Sequence, residues 1–151
     1  MSENTAVATQ SDNTDLATVV ETSSTGVQFF SSVPAQSFAE KIAVVGLMDN
    51  TEAVESILNK PFGLAHFITQ PAVFTDKETG EVTETVRITL VDSKGKSFHC
   101  SSMPVYRTLL NLRSIMGHPA TWPEALPVTI TREGKAPRAY FALKVTPAEV
   151  K

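Results

Sequence analysis

The chain has one cysteine in 151 residues, so it can build neither a disulfide framework nor a cysteine-only zinc site. It also lacks any apolar run near the roughly 18–20 residues that cross a bilayer, and no membrane partner is expected. The opening Met-Ser-Glu-Asn-Thr-Ala has no basic stretch and no apolar stretch, and does not read as a secretory signal. These absences predict a soluble protein of a reducing, cytoplasmic compartment.

Catalytic and cofactor signatures are missing as well. There is no glycine-rich phosphate loop, and His66 and His118 have no cysteine or second histidine at metal spacing. No metal, cofactor or small-molecule substrate is therefore expected. His99 and Cys100 are adjacent, but neighbours on a strand point to opposite faces and cannot form a dyad. Cys100 shares its face with Phe98 and reads as a small core residue. Glu78, Glu81 and Glu84 crowd one turn and read as a solvated loop. No catalytic residue emerges, and the chain reads as a non-enzyme.

Basic residues are absent from the first forty positions, which carry Glu3, Asp12, Asp15, Glu21 and Glu40. From Thr85 to Lys144 the balance reverses, with nine basic residues against Asp92, Glu124 and Glu133, a net +6. The overall charge of −3 thus averages an acidic tail and a domain with a basic surface. Residues 1–36, rich in Ser and Thr with scattered apolar positions, read as a disordered or arm-like acidic tail. Val27-Gln-Phe29-Phe30 is the exception, since two adjacent exposed phenylalanines need a dry surface on this domain or on a neighbouring subunit. Residues 37–151 then form the folded domain, with self-association through the arm as one expectation.

What is present has a legible order. Ser37-Phe-Ala-Glu40 is a capping-box pattern and predicts a helix over about 38–48, although Ala43-Val-Val-Gly46 also suits a strand. Thr51–Leu58 predicts a short helix that Asn59 and Pro61 stop. Gly63–Phe74 suits a strand with a bend, bulge or edge at Pro71. Val82–Val91 alternates, Asp92-Ser-Lys-Gly95 turns, and Lys96–Ser101 makes a third strand. Ser102, Pro104 and the stripe Val105, Tyr106, Leu109, Leu110, Leu112 and Met116 predict a helix that Gly117 and Pro119 end. Strands over about 127–132 and 138–145 close the series around Glu133-Gly-Lys135. Five strands with a helix between the third and fourth is the element order of the OB-fold, a small partly open barrel that binds single-stranded nucleic acid. A generic α+β sheet with a covering helix gives the same string.

Single-strand binding needs a cationic groove for phosphates and aromatic faces for bases. The face opposite the predicted core offers Arg87 on the second strand, His99 on the third, and Arg138, Tyr140 and Lys144 on the last. Lys94 and Lys96 add charge at one hairpin, Arg132 and Lys135 at another. Phe74, near a hairpin tip, is a further stacking candidate with packing as its alternative. Trp122 reads as a cap over the helix end, and Tyr106 as core.

Several stretches carry a resemblance: Asp76–Val82, Ile88-Thr-Leu-Val-Asp92, Gly95-Lys-Ser-Phe-His-Cys-Ser-Ser102, Val105-Tyr-Arg-Thr-Leu109 and Gly117-His-Pro-Ala-Thr-Trp122. Over Phe67–Val145 the chain resembles the single-stranded-DNA-binding proteins of bacteriophages and mobile plasmids. The resemblance implies an OB-fold that coats exposed strands during phage or plasmid DNA replication in a bacterial host cytoplasm. It departs from the familiar bacterial proteins in that its acidic end is N-terminal. The competing expectations are a small β-barrel assembly or virion-associated protein using its N-terminal arm, and a single-stranded-RNA binder.

Overall fold

The computed structural model describes residues 18–20 and 26–146. In chain order the elements are β1 (Thr18–Val19), β2 (Phe30–Ser31), α1 (Phe38–Asp49), β3 (Glu52–Ala53), β4 (Phe62–Thr75), β5 (Val82–Asp92), β6 (Ser97–Cys100), α2 (Met103–Met116), β7 (Leu126–Glu133) and β8 (Tyr140–Val145). The chain is mainly β. Its strands form one curled half-barrel sheet in the order β3-β6-β5-β4-β7-β8, with β1 and β2 attached to β4. No helix among the described residues is long and apolar enough to cross a membrane.

The alternation read in the sequence places the core. Val86, Ile88 and Leu90 of β5 turn inward against Phe67 of β4, Phe98 and Cys100 of β6, and Val128 and Ile130 of β7. Helix α2 lays Val105, Tyr106, Leu109 and Leu112 into the same cluster. Ser102 caps it by accepting from the Val105 amide, and Gly117 ends it at positive φ. Trp122 closes the helix end as predicted, its indole N–H donating to the Gly117 carbonyl at 3.0 Å.

Strand β4 is the spine. One edge pairs with β5 from Leu64 to Thr75, and its first residues, Phe62–Leu64, pair with β7 on the other edge. Beyond Leu64 that second edge is taken by the N-terminal segment: Phe30 and Ser31 lie opposite Thr69 and Ile68, and Thr18 and Val19 opposite Val73 and Ala72. The described part of residues 1–36 is therefore docked in the sheet rather than loose. Val20 and Val27 are buried, and the Phe30 ring meets Phe67 at 5.5 Å and the Arg113 guanidinium at 4.3 Å. The Ser32 hydroxyl accepts from the Phe67 amide and meets His66 Nδ1, both at 3.0 Å. The remainder of that expectation, residues 1–17 and 21–25, lies outside the described residues.

Pro71 does not break the strand. The Val20 amide donates to the Pro71 carbonyl, so the missing proline N–H falls on the arm side, between β1 and β2. The β5 ladder passes through it intact, and the one register shift lies between Leu64 and His66 instead. The short helix expected over Thr51–Leu58 shrinks to a single 3₁₀ turn. Glu52 and Ala53 pair in parallel with Phe98 and His99, leaving only a 3₁₀ turn at Val54–Ile57. An available strand edge outweighs the weak helical preference of so short a segment.

Helix α1 forms where the capping box places it. Glu40 accepts from the amides of Ser37 and Gln36, which holds its carboxyl below the usual carboxylate range. The helix packs across the outer face of β5 and β6. Its opposite stripe, Phe38, Ile42 and Val45, is exposed, Phe38 to 79%.

Candidate nucleic-acid interface

The position of α1 decides which sequence-read residues can meet a ligand. Arg87 and His99 are predicted to face outward from the open sheet. They do share the outer face, but α1 and the loop after it cover that face. Arg87 is 7% exposed, and Thr89 and Ser97 are buried beside it. The Ser97 hydroxyl donates to the Leu47 carbonyl of α1 at 2.7 Å. Burial lowers the Arg87 pKa, and the Asp49 carboxylate of α1 opposes that shift. Arg87 is thus a packing element between sheet and helix, not a surface cation.

A different opening remains. Among the described residues β8 pairs with β7 alone and β6 with β5 and β3, so no ladder joins β6 to β8. Between them lies a cleft of about 600 Å³. His99 lines it from β6, Ser101 from just beyond that strand, Met103 and Pro104 from the start of α2, and Tyr140 and Phe141 from β8. Glu55 and Arg132 complete its rim, joined by an ion pair of 3.6 Å.

Tyr140 occupies this mouth because the register of β8 requires it. Leu143 is buried opposite Ile130, so Tyr140 and Lys144 take the outer face; Tyr140 is 47% exposed. Its ring lies over Gly134, whose φ of +80° turns the hairpin. A Cβ on Gly134 would stand 3.1 Å from the Arg138 carbonyl and 3.4 Å from the Tyr140 ring, so the turn needs glycine twice over. Lys135 and Arg138 project from the same exposed loop, and Lys144 follows along β8. Arg132, expected at the hairpin end of a strand over about 127–132, sits on β7 with its guanidinium 5.1 Å from the Phe141 ring centre.

Of the predicted candidates, the fold brings His99, Arg132 and Tyr140 into one cleft, with Lys135, Arg138 and Lys144 on the adjoining hairpin and strand. Lys94 and Lys96 are exposed at the β5–β6 turn and do not line it, and Lys96 pairs with Glu52 at 3.1 Å. Phe74 is partly exposed near the tip of the β4–β5 hairpin, also apart from the cleft. Glu55 and Ser101 belong to the site but were not among the candidates. Nothing in the sequence marks Glu55, because its partner Arg132 is brought to it only by tertiary folding.

The ionisation of the site follows from burial. His99 is held below the ordinary imidazole value of 6.5, first by burial, then by the charge of Arg87, with Glu55 opposing. His66 is lowered by burial and by His118. Burial pushes the Cys100 thiol up to about 12, which leaves it a neutral core group. Among the described residues no three His, Cys, Asp or Glu side chains stand together as a metal site.

A pH dependence of stability follows. With both imidazoles lowered in the folded state, the unfolded chain takes up protons first as pH drops. Their contribution is complete above 6.5 and is lost as pH falls through the lowered values. The urea midpoint should therefore fall between pH 7.5 and pH 5.5, a window above the carboxylate range. A flat or rising midpoint would contradict it.

The chain matches no protein-family model, no curated protein and no solved structure.

Proposed function

We propose that the protein is a non-enzymatic, sequence-tolerant binder of single-stranded DNA, acting in a bacterial cytoplasm through the β6–β8 cleft and the hairpin beside it. The observation that carries this reading is Tyr140: a half-exposed aromatic ring at the mouth of a cleft, flanked by Arg132, Lys135, Arg138 and Lys144. Bases stack on such a ring whatever their identity, and the cations follow the phosphates. The fold reading that goes with it is an OB-fold in which β4 to β8 serve as the five strands. Its support is the pairing β4–β5, β5–β6, β4–β7 and β7–β8, with α2 between the third and fourth.

Titration of labelled oligo-dT, oligo-rU and duplex DNA at two salt concentrations tests it. Oligo-dT should bind more tightly than the duplex. With Lys135, Arg138 and Lys144 each meeting a phosphate, log K should fall against log salt with a slope of about −2. Equal affinity for the duplex, or no binding at low salt, would sink the reading, and a preference for oligo-rU would move it to RNA. A second reading, a β-barrel assembly protein, draws on the exposed Phe38, Ile42 and Val45 stripe of α1. Its mark would be self-association without any affinity for oligo-dT.

A further inference from the structure

We propose that the cleft holds one nucleobase by its hydrogen-bonding edge, with His99 and Ser101 as the pair that contacts it. This rests on the single-strand reading above and adds to it a contact with the base itself, beyond stacking and phosphate binding.

His99 is the third residue of β6, and Ser101 is the first residue beyond the strand. His99 Nε2 and Ser101 Oγ are both buried and make no hydrogen bond among the described residues. Both residues line the cleft. The other ring nitrogen of His99 is engaged by the Thr51 hydroxyl, which fixes the orientation of the imidazole. A hydroxyl can donate or accept, so either tautomer satisfies Thr51 and Nε2 can present a donor or a lone pair. Ser101 has the same freedom. The neutral state of His99, which burial and Arg87 favour, keeps that choice open.

The cleft also has two kinds of wall. Met103, Pro104 and Phe141 are apolar, whereas His99 and Ser101 are polar. A nucleobase has the same division, with apolar faces and a polar edge. Both atoms are already dry and unpaired in the free protein, so a ligand edge that bonds them gains affinity, roughly 5- to 100-fold for each, that an apolar plug forgoes. An apolar plug is therefore disfavoured where a base of the same shape fits. Since both atoms adapt, the contact rewards having an edge rather than one base identity, in keeping with a sequence-tolerant binder.

The test compares a thymidine oligonucleotide with one in which every thymine is replaced by difluorotoluene, which keeps the shape and stacking of thymine and loses its hydrogen-bonding edge. The wild-type protein should prefer thymidine by about 5-fold or more. Ser101→Ala removes a hydroxyl that makes no hydrogen bond among the described residues, so its melting temperature should be unchanged while the preference shrinks. His99→Asn keeps an amide near the Nδ1 position for Thr51 but removes Nε2, and should lower the preference likewise. His99→Gln, whose amide reaches the Nε2 position, should retain it. Measurable but equal binding of the two oligonucleotides by the wild type would overturn the base contact and leave single-strand binding standing. A preference that survives both Ser101→Ala and His99→Asn would also overturn it. Failure to bind either oligonucleotide would overturn the single-strand reading and this contact together.

Discussion

A chain beginning at Ser37 should melt about 10–20 °C below the full-length protein. The cut removes Val20, Val27 and Phe30 from the core and its margin, and uncovers the second edge of β4 over Phe67, Ile68 and Ala72. Each fully buried Val or Phe side chain contributes about 1.5–3 kcal/mol. After the ordering entropy of the segment is subtracted, roughly 3–5 kcal/mol remains, a large share of the 5–15 kcal/mol typical of a domain. Ser32 adds to this, because the Phe67 amide and His66 Nδ1 lose its hydroxyl together. Calorimetry of the two chains decides the matter. Melting temperatures within about 3 °C of each other would mean that the arm contributes no net stability. The composition of residues 1–36 points the other way, towards a dispensable tail, because a short strand that completes an existing edge needs no periodicity of its own.

Tyr140→Ala should weaken oligo-dT binding about 5- to 150-fold while leaving the salt slope near its wild-type value. The ring supplies a stacking surface and carries no charge, so its loss removes affinity but no phosphate contact. Arg87→Ala provides the contrast. Because Arg87 is buried between β5 and α1, its replacement should lower stability by about 2–3 kcal/mol and leave the salt slope unchanged. A Tyr140→Ala protein that binds like the wild type would remove the cleft from the interface. A flattened slope in Arg87→Ala would put that residue back on the surface.

These two residues also show what the sequence makes legible. Strand alternation puts Val86, Ile88, Leu90 and Leu143 inside and Tyr140 and Lys144 outside, and the fold agrees at each. The caps at Ser37 and Ser102 and the stop at Gly117 are local chemistry and are equally readable. Arg87 and His99 share the outer face, as alternation requires, yet alternation cannot say whether another element lies over that face. Helix α1 does, and its own pattern gives no warning: Val44, Leu47 and Met48 turn towards the sheet while Phe38, Ile42 and Val45 turn to solvent. A helix with apolar residues all round does not declare which side it buries. The cleft is a long-range feature of the same kind, since Glu55 after β3, Ser101 after β6 and Arg132 on β7 come to line it only when the sheet is assembled.

The ion pair at the rim has its own bearing on how tightly a strand could be held. Arg132 already has an anion, Glu55, at 3.6 Å. A phosphate arriving there exchanges one negative partner for another, and the displaced carboxylate then recruits a cation from solution. That uptake offsets the cation which the strand sheds, so Arg132 adds almost nothing to the salt slope and only a modest increment to affinity. On the proposed single-strand reading, Glu55 is a resident competitor for Arg132 that re-forms its bond when a strand leaves.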